Sequence, residues 1–432
     1  MIPEVEALDT RPAVIRIPSQ MDVPVTPRIV RLIDTRAFQR LNRISQLGLV
    51  AKVYPGATHS RFEHSLGVYR NALAFVRRLS QFPAFLNQVE NSDLEALVVA
   101  ALLHDVGYWP YCHPIEDIGL ATLPQHETVA DSILKTDEFS TRLDEDWSCD
   151  QGLVSRIIQG NPIDSKETML CSIMSGPIDI DKMDYLYRDS LHCGVPYGMN
   201  FDSPRLINSI CLNEAGDGIA ISTKGKTAAE MMVFARYVMF SEVYWHHAVR
   251  SATAMLQRAF CNATNDDQDF DLPSFAKWDD ASFSQWLLSD ESNRPAAALF
   301  GNQRQLYKRL LDFTADGDPE MYKRIAHQPY QWLQETGQRL ATELTSATSE
   351  TIHPDEILID APPTGLEVQF KVTIRDGNGY RQLEEVSPVV KALAQRQFDD
   401  FVKRVRIFVH PRLQGKIAPA LTDQLLRQHC SG

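Results

Sequence analysis

His104 and Asp105 follow directly on the longest wholly apolar run of the chain, Ala96 to Leu103. Two polar side chains at the buried end of a helix are costly to desolvate unless something satisfies them. Taken alone, the pair also fits a helix terminus, with His104 capping the last carbonyls and Asp105 bonding a loop amide. The company it keeps points further: Arg61-Phe62-Glu63-His64 lies upstream, His113 and His126 lie downstream, and Ile178-Asp179-Ile180-Asp181-Lys182 follows. Two imidazoles and two carboxylates, from His64, His104, Asp105 and Asp181, make a mixed nitrogen and oxygen set suited to a divalent metal, with manganese, iron, nickel, zinc and magnesium all admissible. Four side chains leave coordination positions open for a water and a substrate oxygen. An ion there lowers the pKa of the water and polarises a phosphoryl group, which is hydrolytic chemistry.

The elements that must position these groups are read from periodicity and capping. Ser92 with Glu95 reads as a capping box, and Leu94, Leu97, Val98, Ala101 and Leu102 recur at helical spacing, so a helix ends at His104 with Gly107 able to stop it. Ser60 with Glu63 reads as a second box. It places His64 in the first turn of a helix continuing through Leu66, Tyr69, Leu73 and Val76, and leaves free amides near Arg61, a setting that favours anions. Ahead of it, Ile29, Leu32, Ile33, Phe38, Leu41 and Ile44 predict two helices broken near Asp34-Thr35, and Val50 to Pro55 reads as a short strand or extended loop. The aromatic, proline-containing loop from Tyr108 to His113 shapes a pocket wall. Gln125-His126-Glu127 opens a further helix, Leu153 to Gln159 another, and Asp181 to Asp189 a helix on which 181, 185, 188 and 189 share a face. A helical stretch runs from Ala228 to Arg258.

The two ends differ from this middle. Residues 1–25, rich in Pro, Val and Ile, read as an extended arm or short hairpin rather than a helix. Beyond residue 262 come an acidic loop (Asn265 to Asp271), more helices and strand-like segments. Ile357 to Asp360 and Val405 to Val409 read as strands, and Asp376-Gly377-Asn378-Gly379 as the turn of a hairpin between Lys371–Ile374 and Tyr380-Arg381. The expected fold is mainly α: a helical catalytic domain with an N-terminal arm over residues 1–261, and a smaller α+β lobe over 262–432 packed on it.

At 432 residues and 44% hydrophobic content the chain buries a large core. A net charge of −13 argues against a surface made for nonspecific binding to nucleic acid, while leaving room for a local basic pocket. The seven cysteines are scattered and form no CxxC, so neither a disulfide framework nor a zinc ribbon is expected, and a reducing compartment fits. Residues 1–20 carry acids and prolines where a signal peptide needs a basic segment and an apolar run. No apolar run approaches the roughly 20 residues of a membrane span. A cytoplasmic protein without a membrane partner is expected.

In order along the chain, several segments resemble the HD-domain metal-dependent phosphohydrolases, and among them the deoxynucleoside triphosphate triphosphohydrolases. The resemblance runs through Leu32-Ile33-Asp34-Thr35, Phe38-Gln39-Arg40-Leu41, Gln46-Leu47-Gly48, Tyr54-Pro55-Gly56-Ala57, Arg61 to Val68, Leu103 to Gly107, His126-Glu127 and Ile180 to Tyr185. It continues more weakly through Tyr244 to Arg250, Leu358-Ile359-Asp360 and Glu384 to Ser387. It implies an HD-domain helical core that binds one divalent metal through His64, His104, Asp105 and Asp181, with additional magnesium accompanying the triphosphate. By the same resemblance His113 and Glu116 handle protons at the α-phosphate and His126 contacts phosphate. Arg61, Lys182 and Arg236 are the phosphate cations, with Tyr185 beside them. Gln46 and Asp189 recognise the sugar 3′-hydroxyl, Tyr185 packs where a 2′-hydroxyl would sit, and Tyr244 stacks on the base. The implied reaction cleaves a deoxynucleoside triphosphate to deoxynucleoside and inorganic triphosphate, in a homodimer or homotetramer.

The sequence also departs from that pattern. Tyr108 stands where many relatives have a second histidine, Trp245 follows Tyr244 where a glutamine is usual, and Asn42 replaces an arginine of a regulatory nucleotide site that otherwise keeps Asp34 and Gln39. No sterile-alpha-motif domain is expected from these residues. The ligand set is shared by HD enzymes acting on nucleoside monophosphates, guanosine polyphosphates or cyclic nucleotides, so the choice among them rests on Gln46, Tyr185, Asp189 and Arg236. A nucleotide-binding regulatory protein with little turnover is the reading outside the enzyme class.

Overall fold

The computed structural model describes all residues except 20, 121, 122, 124, 265–274, 276, 363–370, 378, 396–401 and 430–432. The expected acidic loop at 265–271, the turn residue Asn378 and Cys430 therefore lie outside the described residues.

The N-terminal arm differs from its sequence reading. Pro3–Thr10 is a helix, and only after it do β1 (Val14–Ile17) and β2 (Met21–Pro24) pair as an antiparallel hairpin. Proline suits a first helical position, whose N–H has no intrahelical partner. Glu4, fully buried, gives the helix its anchor: it accepts from the Thr26 hydroxyl at 2.7 Å and from Arg28 Nε at 2.8 Å. A second reassignment follows from the same arginine. Glu95 does not close a capping box with Ser92; it pairs with Arg28 at 2.7 Å, and the box at this helix start is made by Glu90 and Asp93.

Elsewhere the helical pattern reads through. Pro27–Ile33 and Arg36–Arg40 are separate helices, each started by a threonine side chain, Thr26 and Thr35. Residues 50–55 are neither strand nor extended; Gly48–Lys52 is a 3-10 turn. Arg61–Leu79, Asn91–Leu103 and Ile180–Cys193 pack together as the centre of the molecule. Gly67 permits this closeness, since a Cβ there would lie 1.8 Å from Asp184 Oδ1 and 2.5 Å from an Arg188 nitrogen. Gly107 does the same after the His104 corner, where a Cβ would stand 2.2 Å from the Ala130 nitrogen in the His126–Leu134 helix.

The long helical stretch after residue 226 is not continuous. Lys226–Met239 widens into a π-helical turn at Phe240–Tyr244, closed by a 2.8 Å bond from the Trp245 N–H to the Phe240 carbonyl, before His247–Thr264 resumes as α-helix. Such turns carry one residue more than an α-helical turn, and periodicity alone reads across them.

Two sheets complete the chain. β3 (Ile210–Leu212), β4 (Ile219–Ser222), β7 (Thr373–Asp376) and β8 (Gly379–Gln382) run in that order, with β4 and β7 parallel, so the expected hairpin pairs with strands from the other side of residue 261. The second sheet has order β5 (Lys308–Phe313), β9 (Val405–Val409), β6 (Ile357–Asp360). Successive side chains on a strand face opposite ways. Accordingly Leu358 and Phe408 join the main core while Ile357, Ile359, Val405, Ile407 and Val409 join a second core with Leu340, Leu344 and Ile325. Arg250 of the His247–Thr264 helix ties this sheet to the helical part, donating to Asp360 at 2.6 and 3.1 Å.

Candidate metal centre and nucleotide pocket

Ser60 starts the Arg61–Leu79 helix by accepting from the Glu63 amide, which puts His64 in the first turn as its sequence suggests. His104 is the C-cap that follows Leu103 at the end of its helix, and the chain turns there into Asp105. Asp179 caps the Ile180–Cys193 helix at the Lys182 amide and brings Asp181 to the same point. His64 Nε2 lies 3.0 Å from Asp181 Oδ1, while His104 Nε2 lies 3.6 Å from Asp105 Oδ1 and 4.0 Å from Asp181 Oδ1. His64, His104 and Asp105 each aim one ligand atom at a common point.

The outward nitrogens are set by partners behind them. His64 Nδ1–H donates to Asp184 Oδ2 at 2.8 Å, and His104 Nδ1–H to the Ala101 carbonyl at 3.0 Å. Both rings therefore present Nε2 to the cluster, the arrangement that holds metal-ligating imidazoles in one tautomer. His104 Nε2 is buried with no hydrogen-bond partner, which is the mark of a nitrogen kept for a metal rather than for a cap. Burial opposes charge on His64, but the Asp181 and Asp184 carboxylates push it up to about 10. Burial likewise raises the Asp105 carboxyl, and Arg61, His104 and His64 outweigh it, holding the group well below the usual carboxylate range. Excess negative potential that nearby imidazoles must neutralise is what a divalent cation would relieve. The residues present fit the metal the family implies.

Arg61, read from sequence as a phosphate cation, serves this cluster directly: NH1 donates to Asp105 Oδ2 at 2.7 Å and NH2 reaches the Gln46 carbonyl at 3.5 Å. The guanidinium lies 3.0 Å from the centre of the Tyr108 ring. The Tyr108 ring thus covers Arg61, and its hydroxyl accepts the His113 N–H at 3.4 Å.

Beside the metal cluster, Glu116 gathers two histidines. Its Oε1 accepts from the His126 amide at 3.0 Å and from His126 Nδ1–H at 3.2 Å, and its Oε2 from His113 Nδ1–H at 3.4 Å. Burial works against the Glu116 charge, yet the two imidazoles hold its carboxyl well below its ordinary value. Burial also disfavours charge on His126, which Glu116 and Glu127 override to raise its pKa. His126 sits close enough to Asp105 to feel its charge, so this triad adjoins the metal cluster. Cys112 completes the group as a buried, neutral thiol, raised by desolvation and by Glu116, to which it donates. The six described cysteines are all free thiols.

The remaining predicted residues come together on the Ile180–Cys193 helix and its neighbours. Lys182 is ion-paired to Asp179 and lies near Tyr185 and Arg236. Burial raises the Tyr185 phenol, with Arg236 and Lys182 opposing it. Tyr244 has a different first partner from the base expected: its hydroxyl donates to Asp189 Oδ2 at 2.6 Å. Trp245 is buried against Val402, with the Arg250 guanidinium 4.3 Å above its ring. Gln46 is held by its backbone, and its side-chain Oε1 is buried with no partner. At the other departure, Asn42 bonds only its neighbour Gln39, at 3.3 Å.

Sequence reasoning missed Asp184, Arg188, Glu63 and His59. Asp184 is gripped by Arg188 at 2.6 and 2.9 Å, and Arg188 reaches on to Glu63 at 2.6 Å. Asp184 stands three residues after Asp181 on one helix, a spacing that marks a shared face and was available in the sequence.

This arrangement, an imidazole and carboxylate cluster built from a His-Asp corner inside a helical core, is that of the HD-domain hydrolases. The HD domain matches residues 61–188 and the HD associated region residues 201–427; the chain belongs to this family of metal-dependent phosphohydrolases. An uncharacterized protein of Methanocaldococcus jannaschii is 31% identical over 382 residues, covering 88% of this chain and 76% of that protein. The deoxynucleoside triphosphate triphosphohydrolase SAMHD1 of Gallus gallus is 31% identical over 272 residues, which are 56% of this chain and 44% of that one. A hypothetical protein from Aquifex aeolicus has a crystal structure similar over 96% of this chain and 99% of its own, with a TM-score of 0.72 and 27% identity. Among the described residues no helix is long and apolar enough to cross a membrane.

Proposed function

We propose that the protein hydrolyses deoxynucleoside triphosphates to deoxynucleoside and inorganic triphosphate. The observation that carries this reading is Gln46 Oε1, a buried acceptor without a partner, on a segment whose backbone bonds to His59, the residue that holds Asp189. A buried acceptor of this kind is costly until a ligand donor meets it, and a sugar 3′-hydroxyl is such a donor. Similarity to SAMHD1, named for this reaction, supports the same substrate class.

A divalent ion on His64, His104, Asp105 and Asp181 would supply Lewis acidity toward the phosphoryl oxygen and a water of lowered pKa. The protein's own groups do the rest. Lys182 and Arg236 stabilise the charge that develops on the triphosphate. Glu116 accepts the Nδ1 protons of His113 and His126; the proton for the departing 5′-oxygen comes from His113, with His126 on phosphate. Tyr185 occupies the volume a 2′-hydroxyl would need, which excludes ribonucleotides.

The test is product analysis by ion-exchange chromatography for each of the four dNTPs and a GTP control, with metal-reconstituted protein and His104→Ala as the blank. Deoxynucleoside with triphosphate, absent from the blank, is the expected result. Orthophosphate or pyrophosphate instead, or turnover only of monophosphates, guanosine polyphosphates or cyclic nucleotides, would replace this reading. Nucleotide binding without product would make the protein a regulatory one.

A further inference from the structure

We infer that His59 is the positioning residue of the sugar pocket, fixing Gln46 and Asp189 relative to each other and so setting the preference for a free 3′-hydroxyl; this rests on the function proposed above. His59 joins the two through different parts of one residue. Its carbonyl accepts the Gln46 N–H at 2.9 Å, within a short ladder that also pairs Ser45 with Ser60 and carries the Arg61 N–H to the Ile44 carbonyl at 3.0 Å. Its side chain, fully buried, donates from Nε2 to Asp189 Oδ1 at 2.8 Å. Gln46 and His59 are thirteen positions apart and Asp189 lies 130 positions beyond His59, so His59 brings distant parts of the chain together through its backbone and its side chain at once.

The ring is itself held on both sides of its role. His192 stacks on it with centroids 4.3 Å apart and planes 14° from parallel, and His192 Nε2 is fixed by Glu63 at 3.0 Å. Tyr244 takes the other oxygen of Asp189, so the carboxylate is clamped in its plane while each oxygen keeps a lone pair for a ligand hydroxyl. Nδ1 of His59 is buried with no partner. A ring placed only for packing would be as well served by phenylalanine, without an unmet nitrogen; here the Nε2 contact to Asp189 is what the imidazole is for.

The experiment compares a dNTP with the matching 2′,3′-dideoxynucleoside triphosphate on the metal-loaded full chain, by kcat/KM and by calorimetric Kd. His59→Phe keeps the stacked ring and loses the donor; His59→Gln restores an amide donor near Nε2. Wild type is expected to prefer the dNTP. His59→Phe should lose about tenfold of that preference, through KM and Kd rather than kcat, one hydrogen bond's worth. His59→Gln should recover most of it, and metal content should not change. If His59→Phe keeps the wild-type ratio, the inference is overturned while the sugar-pocket reading stands. If wild type shows no preference in either measurement, the sugar-pocket reading fails and the inference with it. Should His59→Phe not fold, an unchanged ratio in His59→Ala, or a His59→Gln ratio no nearer to wild type than His59→Ala, overturns it.

Discussion

Asp184 stands behind His64, accepting its Nδ1–H at 2.8 Å with a carboxylate that Arg188 grips through both oxygens. The pair fixes which nitrogen of His64 faces Asp181. Asp184→Asn keeps the shape and weakens that hold, so metal affinity should fall by about 10- to 100-fold, the usual cost of losing such a partner. Metal content by elemental analysis after dialysis, read against His104→Ala, checks this. An Asp184→Asn protein that retains metal as wild type does would show that the Arg188 clamp is structural only.

Glu116 carries the proton triad. Glu116→Gln leaves His113 and His126 without their anion, so the pKa of His126, raised in the native protein, should drop toward its ordinary value. Turnover should fall by about 10²- to 10⁴-fold with metal content intact, and the acid-dependent limb of the pH profile should move to lower pH. A profile of unchanged shape would remove Glu116 from proton handling.

Asp280 links stability to pH. Burial pushes its carboxyl up from 3.8 to about 6, against the Ser45 N–H it accepts at 2.9 Å, and its Oδ1 is buried without a partner. A raised carboxyl favours the neutral form in the folded state, so its contribution is present below pH 4 and is lost as pH rises through about 6. Asp280→Asn should therefore raise Tm at pH 7.5, by up to about 3 kcal/mol of stability, and much less at pH 4.5. Equal shifts at the two pH values would count against this account.

Arg250 and Asp360 join the helix after Tyr244 to the second sheet, both buried. Removing one partner of a buried ion pair leaves a charge uncompensated, at a cost of about 3–5 kcal/mol. Asp360→Ala should lower the midpoint of urea unfolding accordingly, since Arg250 and the nearby Arg406 both lose this carboxylate; a loss below about 1 kcal/mol would count against this account.

What the sequence disclosed and what it hid divide along a physical line. That His64, His104 and Asp105 come together was legible because each sits at a helix terminus, where a capping residue and an adjacent His-Asp pair leave a local signature. The two β segments at 357–360 and 405–409 were legible because their runs are apolar apart from Asp360 and Arg406, and the structure shows why: their two faces serve two cores. The N-terminal helix was hidden, since Glu4 is stabilised by Thr26 and Arg28 more than twenty residues on, beyond any local pattern. Glu95 misled for the same reason. His59 was hidden, because its partner Asp189 is distant in the chain and a lone histidine carries no spacing to read.

The π-helical turn at Phe240–Tyr244 makes chain length, and not only residue identity, a condition of the site. Each residue of an α-helix advances the side chains by about 100°. Deleting one residue from that turn would change the phase of Tyr244 relative to Arg236 by that angle. Tyr244 would swing off Asp189, although both residues were still present. The extra residue acts as a phase setter between Arg236 on one side and Tyr244 on the other, so insertions and deletions here should be as damaging as the loss of a ligand.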